Sequence, residues 1–180
     1  MMNDKKLEIL IRNQLIGGLE DLGLDDVEVV AGYQPTIQSE PSRPFIYFFK
    51  IDSVPQGWQK RAREASIIPD EFNSTGQQAV ISNYQFGARV DLDLADMDQL
   101  TAADLVSYTS MIIQSRGTIS ALAKSGVNMT RASNERNPYF INNKDQHESS
   151  PSFDIGFSYV RSIKRPTGVI NEITGSIHPI

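Results

Sequence analysis

The sequence predicts an α+β fold in which an antiparallel or mixed β-sheet packs against helices. Apolar residues near the N terminus recur every three to four positions, as they do on one face of a helix. Alternating apolar and polar residues predict strands at Gln78–Leu94 and Ser152–Ile163. The full order is one helix, three strands, two helices and two strands, which is typical of α+β domains.

The first helix is predicted over Asp4–Leu22, with Asn3 or Asp4 as the N-cap and Gly23 as the stop signal. Two adjacent glycines, Gly17 and Gly18, lie inside it. Each costs about 1 kcal/mol relative to alanine, so either the helix bends there or another backbone packs close.

The next two strands are predicted on either side of a proline-rich segment. Val27–Ala31 is short and β-branched, whereas Phe45–Ile51 is bulky and apolar enough for a central strand. The three prolines within Gly32–Pro44 disfavour ladder pairing, which predicts an extended connection.

Asp52–Gly76 has no apolar period and contains Pro55, Gly57 and Pro69. It therefore predicts a long connection, either functional or disordered. The strand that follows would span about 55 Å, longer than most domains of this size can cover. Part of it should project as a β-hairpin arm.

The helix pair has clear boundary signals. Thr101 and Asp104 fit a capping box that opens a helix running toward Ser115. A shorter helix is predicted over Thr118–Lys124, with Gly126 as its C-cap.

Two strands, Val127–Ser133 and Ser152–Ile163, complete the predicted fold. We expect a single α+β domain over residues 1–163, because one chain of 180 residues can bury one sizeable core. Residues 164–180 contain two prolines and two glycines and predict a loosely held C-terminal tail.

The composition excludes several function classes. The chain has no cysteine, which rules out disulfides, thiolate metal sites and cysteine nucleophiles, and it has only two histidines. A net charge of −5 argues against tight binding to a phosphate backbone. Neither a targeting signal nor a membrane-spanning run is evident, so we expect a soluble protein made in the cytosol, with no cofactor.

The densest acidic cluster consists of Asp91, Asp93, Asp96 and Asp98, joined by Asp104. Its oxygens could hold a divalent cation, but its spacing lacks the glycine and the distal glutamate of a calcium loop. A solvated junction between a strand and a helix, or a negatively charged assembly surface, also fits.

Trp58, Lys60, Arg61 and Arg63 form an aromatic and basic patch. Such patches bind single-stranded nucleic acid, but only this short segment is basic in an acidic chain, and tryptophan and arginine are favoured anchors in protein interfaces. A nucleic-acid contact, a contact with a partner protein and an ordinary loop remain the three interpretations.

His147 lies close in sequence to Asp145 and to Ser149, Ser150 and Ser152, which raises the alternative of a small hydrolase that uses Ser150, His147 and Asp145. No nucleophile elbow surrounds these serines, and sequence neighbours seldom share a productive geometry. We expect a polar loop, no catalysis and no metal.

Four segments, in order, resemble the neck and tail terminator proteins of tailed bacteriophages. They are Tyr33-Gln34-Pro35-Thr36 with Glu40-Pro41, then Leu100–Val106, then Arg136-Asn137-Pro138-Tyr139-Phe140, then Glu148-x-Ser150-Pro151-Ser152-Phe153-Asp154.

The resemblance implies a structural virion protein of the neck, assembled in the host cytoplasm. It implies a homo-oligomeric ring, expected to be a hexamer, that caps the tail tube and joins the tail to the head-side connector protein. Sheath would be a further partner in a contractile tail, and genomic DNA would pass through the lumen without specific binding. The alternative is a head-tail connector or stopper subunit of the same neck. No membrane is expected among its partners.

A heterologous ring needs two different adhesive surfaces on each subunit. The residues expected at subunit or partner interfaces are Tyr33, Gln34, Pro35, Trp58, Arg136, Asn137, Pro138, Tyr139, Phe140, Glu148 and Pro151. The candidates for the lumen-facing wall are Asp91, Asp93 and Asp96.

Overall fold

The computed structural model describes residues 2–32, 43–65, 71–90, 100–141 and 147–168. At 62–65, 71–73, 139–141, 147–149 and 164–168 it describes the backbone alone. The helices are α1 (Asp4–Asp21), α2 (Ala102–Ile113) and α3 (Arg116–Lys124). The strands are β1 (Glu28–Ala31), β2 (Phe45–Ala65), β3 (Glu71–Arg89), β4 (Val127–Met129), β5 (Tyr139–Ile141), β6 (His147–Ser149) and β7 (Ser152–Gly168).

One mixed five-stranded sheet dominates the fold, with the strand order β1-β2-β3-β7-β4. β1 pairs with β2 in parallel, and the other pairs are antiparallel. β5 and β6 form a separate two-stranded sheet. The predicted α+β class with a mixed sheet and helices is confirmed. Within the described residues no helix is long and apolar enough to cross a membrane.

α1 begins and ends where its sequence signals predict. The side chain of Asn3 accepts a hydrogen bond from the backbone N–H of Lys6, and Gly23 adopts a φ of 72° just after the helix. The buried face consists of Leu7, Ile11, Leu15 and Leu19. Their regular spacing places one apolar stripe against the rest of the core.

The tandem glycines in α1 differ in environment. A Cβ added to Gly18 would overlap the side chain of Ile112 on α2, whereas one added to Gly17 would meet nothing within 4 Å. Close packing of a second helix therefore explains Gly18, and Gly17 is free of that constraint.

Three phenylalanines stack across the middle of the sheet. Phe86 on β3 lies directly opposite Phe48 on β2 and Phe153 on β7, with ring centroids 5.4 and 5.2 Å apart, respectively. All three side chains are fully buried. Each such side chain contributes roughly 1.5–3 kcal/mol through burial, so this row strongly fixes the register of β3.

The capping box of α2 is present as predicted. Thr101 Oγ1 accepts from the backbone N–H of Asp104, and the Asp104 carboxylate accepts from the backbone N–H and the hydroxyl of Thr101. The hydrogen bonds from Thr101 lower the pKa of Asp104. α3 is capped by Ser115 and ends before Gly126, whose φ is 73°.

The prediction of an irregular connection over Asp52–Gly76 is wrong, because most of this segment forms β-strand. β2 runs on to Ala65, β3 already begins at Glu71, and β7 pairs with β3 as far as Gly168. We call the resulting three-stranded extension, residues 54–65, 71–79 and 160–168, the arm. A hairpin arm is thus present, and it includes the start of β3.

The position of β2 at the edge of the sheet explains why the sequence of this segment predicts a loop. β1 pairs with β2 only as far as Phe48, so β2 is an edge strand along the arm and Pro55 interrupts no second ladder. Residues 54–61 are all exposed. A strand that is solvated on both faces has no need for an apolar period.

Other boundaries also differ from expectation. β3 ends at Arg89 instead of Leu94, β4 ends at Met129 instead of Ser133, and β7 continues past Ile163 to Gly168. The small strands β5 and β6 were not predicted. Most of the proline-rich connection and residues 169–180 of the tail lie outside the described residues.

A polar cluster joins α1 to the sheet where the arm begins. The carboxylate of Asp4 accepts hydrogen bonds from Tyr159 and Arg161, and from Lys50 at 2.8 Å. Ser82 is 3.1 Å from the Tyr159 hydroxyl. Burial alone would raise the pKa of Asp4, but the hydrogen bonds from Lys50, Tyr159 and Arg161 outweigh it and lower that pKa to about 2.

The two glycines of α1 provide a matched pair of stability tests. We expect Gly18→Ala to lower the free energy of unfolding by about 1–3 kcal/mol, because the new methyl group forces Ile112 to move. Gly17→Ala should instead stabilise the protein by up to about 1 kcal/mol. Urea unfolding of both variants measures the difference; equal effects would contradict the close packing.

Because of Asp4, the free energy of unfolding should depend on pH in the acidic range. The ordinary pKa of 3.8 falls to about 2 in the folded protein, so this stabilisation is present above about pH 4 and disappears as pH falls through 2. Since 40% of the side chain is exposed, we expect Asp4→Asn to cost only about 1 kcal/mol near neutral pH.

The difference between Asp4→Asn and the wild type should vanish near pH 2, as measured by urea unfolding across a pH series. The exposed Glu28→Gln serves as the control and should show little effect at either pH. A constant penalty for Asp4→Asn at all pH values would show that the ionic contacts contribute nothing.

Candidate assembly surfaces

A β-bulge in the arm displays the single tryptophan of the chain. The register of β2 against β3 shifts between Gln56 and Lys60, and Gly57 takes a φ of 68° within the shift. A Cβ on Gly76 would overlap the Gln59 side chain, so Gln59 lies over that glycine. Trp58 is left 97% exposed. The bulge therefore aims Trp58 outward and holds the backbone beneath it.

The surroundings of Trp58 combine positive charge with apolar surface. Lys60 and Arg61 are exposed directly beyond the bulge. Val54 on the same strand is 45% exposed, and Val160 and Ile163 on β7, beyond β3, are 51% and 54% exposed. Among residues of the arm with described side chains, none belongs to the hydrophobic core. Such a mixture of tryptophan, cations and aliphatic surface is typical of protein interfaces.

Arg136 is positioned by contacts within the chain. Its backbone forms an isolated antiparallel bridge with Ser152, and its guanidinium pairs with the carboxylate of Asp154. Asp154 also donates its backbone N–H to Ser133 Oγ at 2.8 Å. These contacts fasten the segment before β5 to the first residues of β7.

The described residues between Arg136 and β7 include the two strands of the small sheet, β5 and β6. Asn137 and Pro138 are exposed, whereas Pro151 is buried. The backbone N–H of Ser150 donates to the carbonyl of Pro138 at 3.2 Å and closes the base of the β5–β6 hairpin. Within that hairpin Phe140 pairs with Glu148. The predicted motif Arg136–Phe140 thus contains residues that take part in forming the hairpin and residues that are exposed on the surface.

The structure separates the predicted interface residues into two regions. Lys60 beside Trp58 pairs with Gln77, whereas Ser152 beside Arg136 pairs with Gly87. Gly87 lies ten residue steps along β3 from Gln77, which corresponds to about 33 Å. Trp58 and Arg136 therefore belong to different surfaces.

Several predicted residues lie outside what the structure describes. Tyr33, Gln34 and Pro35, together with Asp91, Asp93 and Asp96, fall outside the described ranges. Tyr139, Phe140 and Glu148 have a described backbone only. Asp145 of the hydrolase alternative is also outside. Across the described ranges no group of three His, Asp or Glu side chains could hold a metal ion.

Sequence reasoning missed the bulge and the cluster around Asp4. A glycine inside a strand often marks a bulge, so Gly57 would have been the signal if the segment had been recognised as strand. Asp4 and Arg161 are 157 positions apart, and no local pattern joins them.

Comparison with known proteins gives a structural and a family relationship. No curated protein matches the sequence. Among solved structures, the chain is similar to the sheath/tube terminator of an extracellular contractile injection system, PVC, in its extended state. The TM-score is 0.50 at 10% identity, which shows a shared fold. The match covers 96% of this chain and 63% of the terminator, so this chain spans less than two thirds of the terminator's length.

The family relationship comes from the sequence. The family model described as E217 gateway protein gp29, a phage neck and tail protein, matches residues 6–169. This confirms the predicted relationship to phage neck and tail terminator proteins, and both relatives are structural phage or phage-like components and not enzymes. Membership of a family of phage neck and tail proteins implies that the protein is located in the virion. The chain belongs to the E217 gateway protein gp29 family.

Proposed function

We propose that this protein forms a ring at the end of the phage tail tube, caps the tube and joins it to the head-side connector. The family relationship supports a role in the neck, and the shared fold with a sheath/tube terminator supports a position at a tube end. We further propose that assembly takes place in the host cytoplasm and that the ring is a hexamer.

The arm is the observation on which the proposal depends. It presents Trp58, Val54, Val160 and Ile163 to solvent without a core of its own among the described side chains. Large exposed apolar patches on a protein surface usually mark a site that a partner covers. A ring covers such a surface in every subunit by the same contact.

The two separated surfaces suit a heterologous ring. The arm would contact a sibling subunit, and the surface around Arg136, Asn137 and Pro138 would contact the tube protein or the connector. We place Tyr33, Gln34 and Pro35, with Tyr139, Phe140 and Glu148, in the same set of interfaces; Pro151 is buried within the subunit and supports this surface from beneath. Asp91, Asp93 and Asp96 would face the lumen, where negative charge lets DNA pass without binding. Sheath would be a partner in a contractile tail.

Electron microscopy of negatively stained samples tests the proposal. The purified protein should be imaged alone and after mixing with purified tail tubes. We expect rings, or tube ends closed by an added layer of density. Protein that leaves tube ends unchanged and binds the isolated connector instead would favour a connector or stopper subunit.

Trp58 should matter for assembly and not for folding. Because its side chain is 97% exposed, we expect Trp58→Ala to change the free energy of unfolding by less than about 0.5 kcal/mol. It should weaken self-association or tube capping at least about tenfold, as expected for an anchor residue. Met111→Ala, which removes a 67% exposed side chain from α2, is the matched control and should leave assembly intact.

Sedimentation velocity, together with counts of capped tube ends, measures both variants. Unchanged assembly in Trp58→Ala, or equal losses in both variants, would show that Trp58 is not an anchor.

A further inference from the structure

The charges of the protein are segregated between two ends of the sheet. Five acidic residues fall within residues 20–28, where α1 ends and β1 begins, and all of them are exposed; they are Glu20, Asp21, Asp25, Asp26 and Glu28. We call this segment the acidic corner. Its nearest described cation is Arg43, 4.0 Å from Asp26. The arm has the opposite character on balance: Lys60 and Arg61 are exposed, and its other basic residues are Arg63, Arg161, Lys164 and Arg165, against the two acidic residues Glu64 and Glu71.

The acidic corner is placed where it does not help its own helix. The last turn of α1 contains Glu20 and Asp21 and no basic residue. Carboxylates at a helix C terminus are repelled by the negative end of the helix dipole, so these charges oppose the stability of α1. A role outside the subunit accounts for them better than a role in folding.

One molecule cannot bring its own arm to its own acidic corner. Glu28 in the corner pairs with Phe45, and Phe45 pairs with Arg89, whereas Lys60 pairs with Gln77. The twelve residue steps of β3 from Gln77 to Arg89 span about 40 Å in an extended strand. Any contact between the two surfaces must therefore join two copies.

We infer that the arm of one copy docks on the acidic corner of the next, and that this contact is the joint of the ring. Lys60 and Arg61 face the carboxylates of the neighbouring copy, and Trp58 packs against its Leu22, which is 50% exposed between Glu20 and Asp25. The two surfaces match in charge and in apolar content. Because they are different surfaces, the contact is heterologous and extends from copy to copy. The inference rests on the proposed ring.

Charge reversal tests the joint. Lys60→Glu with Arg61→Glu gives an arm-reversed protein, and Asp21→Lys with Asp25→Lys gives a corner-reversed protein. Each alone should lose self-association by at least about tenfold, because like charges then meet at every joint. The corner-reversed protein should melt no lower than the wild type, since it relieves the repulsion at the end of α1. Loss of assembly therefore cannot be assigned to unfolding.

Mixing is the decisive step. When the two reversed proteins are combined, each arm finds an opposite charge only on the other variant, so assembly should return as alternating copies in a 1:1 ratio. The protein that combines all four substitutions should assemble alone. Sedimentation velocity in about 50 mM salt and native mass spectrometry give the affinity and the ratio, and high salt should weaken the wild-type contact.

Cross-linking provides a readout that does not require a stable ring. The chain has no cysteine, so Lys60→Cys combined with Asp25→Cys introduces the only two thiols. A short bismaleimide should give a ladder of dimer, trimer and higher species with the double variant and no cross-linked species with either single variant. Only a heterologous joint gives a ladder without dimers of the single variants, because two isologous contacts would cross-link each single variant to a dimer.

The outcomes separate the inference from the proposed function. If reversed proteins assemble like the wild type, the ring stands and the arm-to-corner joint is wrong; the basic residues then serve only to keep the edges of the arm apart. If arm reversal abolishes binding to tail tubes but leaves self-association intact, the arm docks on the tube and the joint is again wrong. If the wild type gives neither cross-links nor rings nor capped tubes, both proposals fail.

Discussion

The register of β3 between β2 and β7 is the constraint on which the rest of the structure depends. One end of β3 places Tyr84 and Phe86 in the core, while the other end forms the middle strand of the arm. A slip of one residue would turn Phe86 to the opposite face and displace the stack with Phe48 and Phe153. The same slip would also move the bulge that presents Trp58. Core packing at one end therefore determines the geometry of a surface roughly 30 Å away.

The elements predicted correctly from the sequence are those whose signals are local. The capping box at Thr101 and the left-handed glycines at 23 and 126 act within a few residues, and the structure has helix ends beside each of them. β7 was recognised because Phe153, Ile155, Phe157 and Tyr159 all face the core. The β2 strand of the arm gave no such signal, since residues 54–61 are all exposed and include Pro55, which only an edge strand tolerates.

The candidate surfaces were predicted less completely than the fold. Composition drew attention to Trp58 and the family resemblance drew attention to Arg136, but neither could show that Arg136 pairs with Asp154 and Ser152 inside the chain. Nor could it reveal that Asp4 meets Lys50 and Arg161, because these residues approach each other only after the sheet has formed. Contacts between distant segments depend on topology, and neither periodicity nor spacing encodes topology directly.

The cluster around Asp4 connects the packing of α1 to the direction of the arm. Arg161 lies at the base of the arm, bonded to Asp4 at the start of α1 and to the Tyr159 hydroxyl at 3.0 Å. The acidic corner lies at the other end of the same helix. A rigid helix thus relates the surface that would receive a neighbour to the root of the arm that would reach the next one. In a closed ring the angle between these two surfaces decides how many copies fit, because every joint repeats it. If the protein forms such a ring, the contacts of Asp4 in α1 with Lys50 and Arg161 would therefore influence how many copies it contains, because they fix the direction of the arm relative to α1.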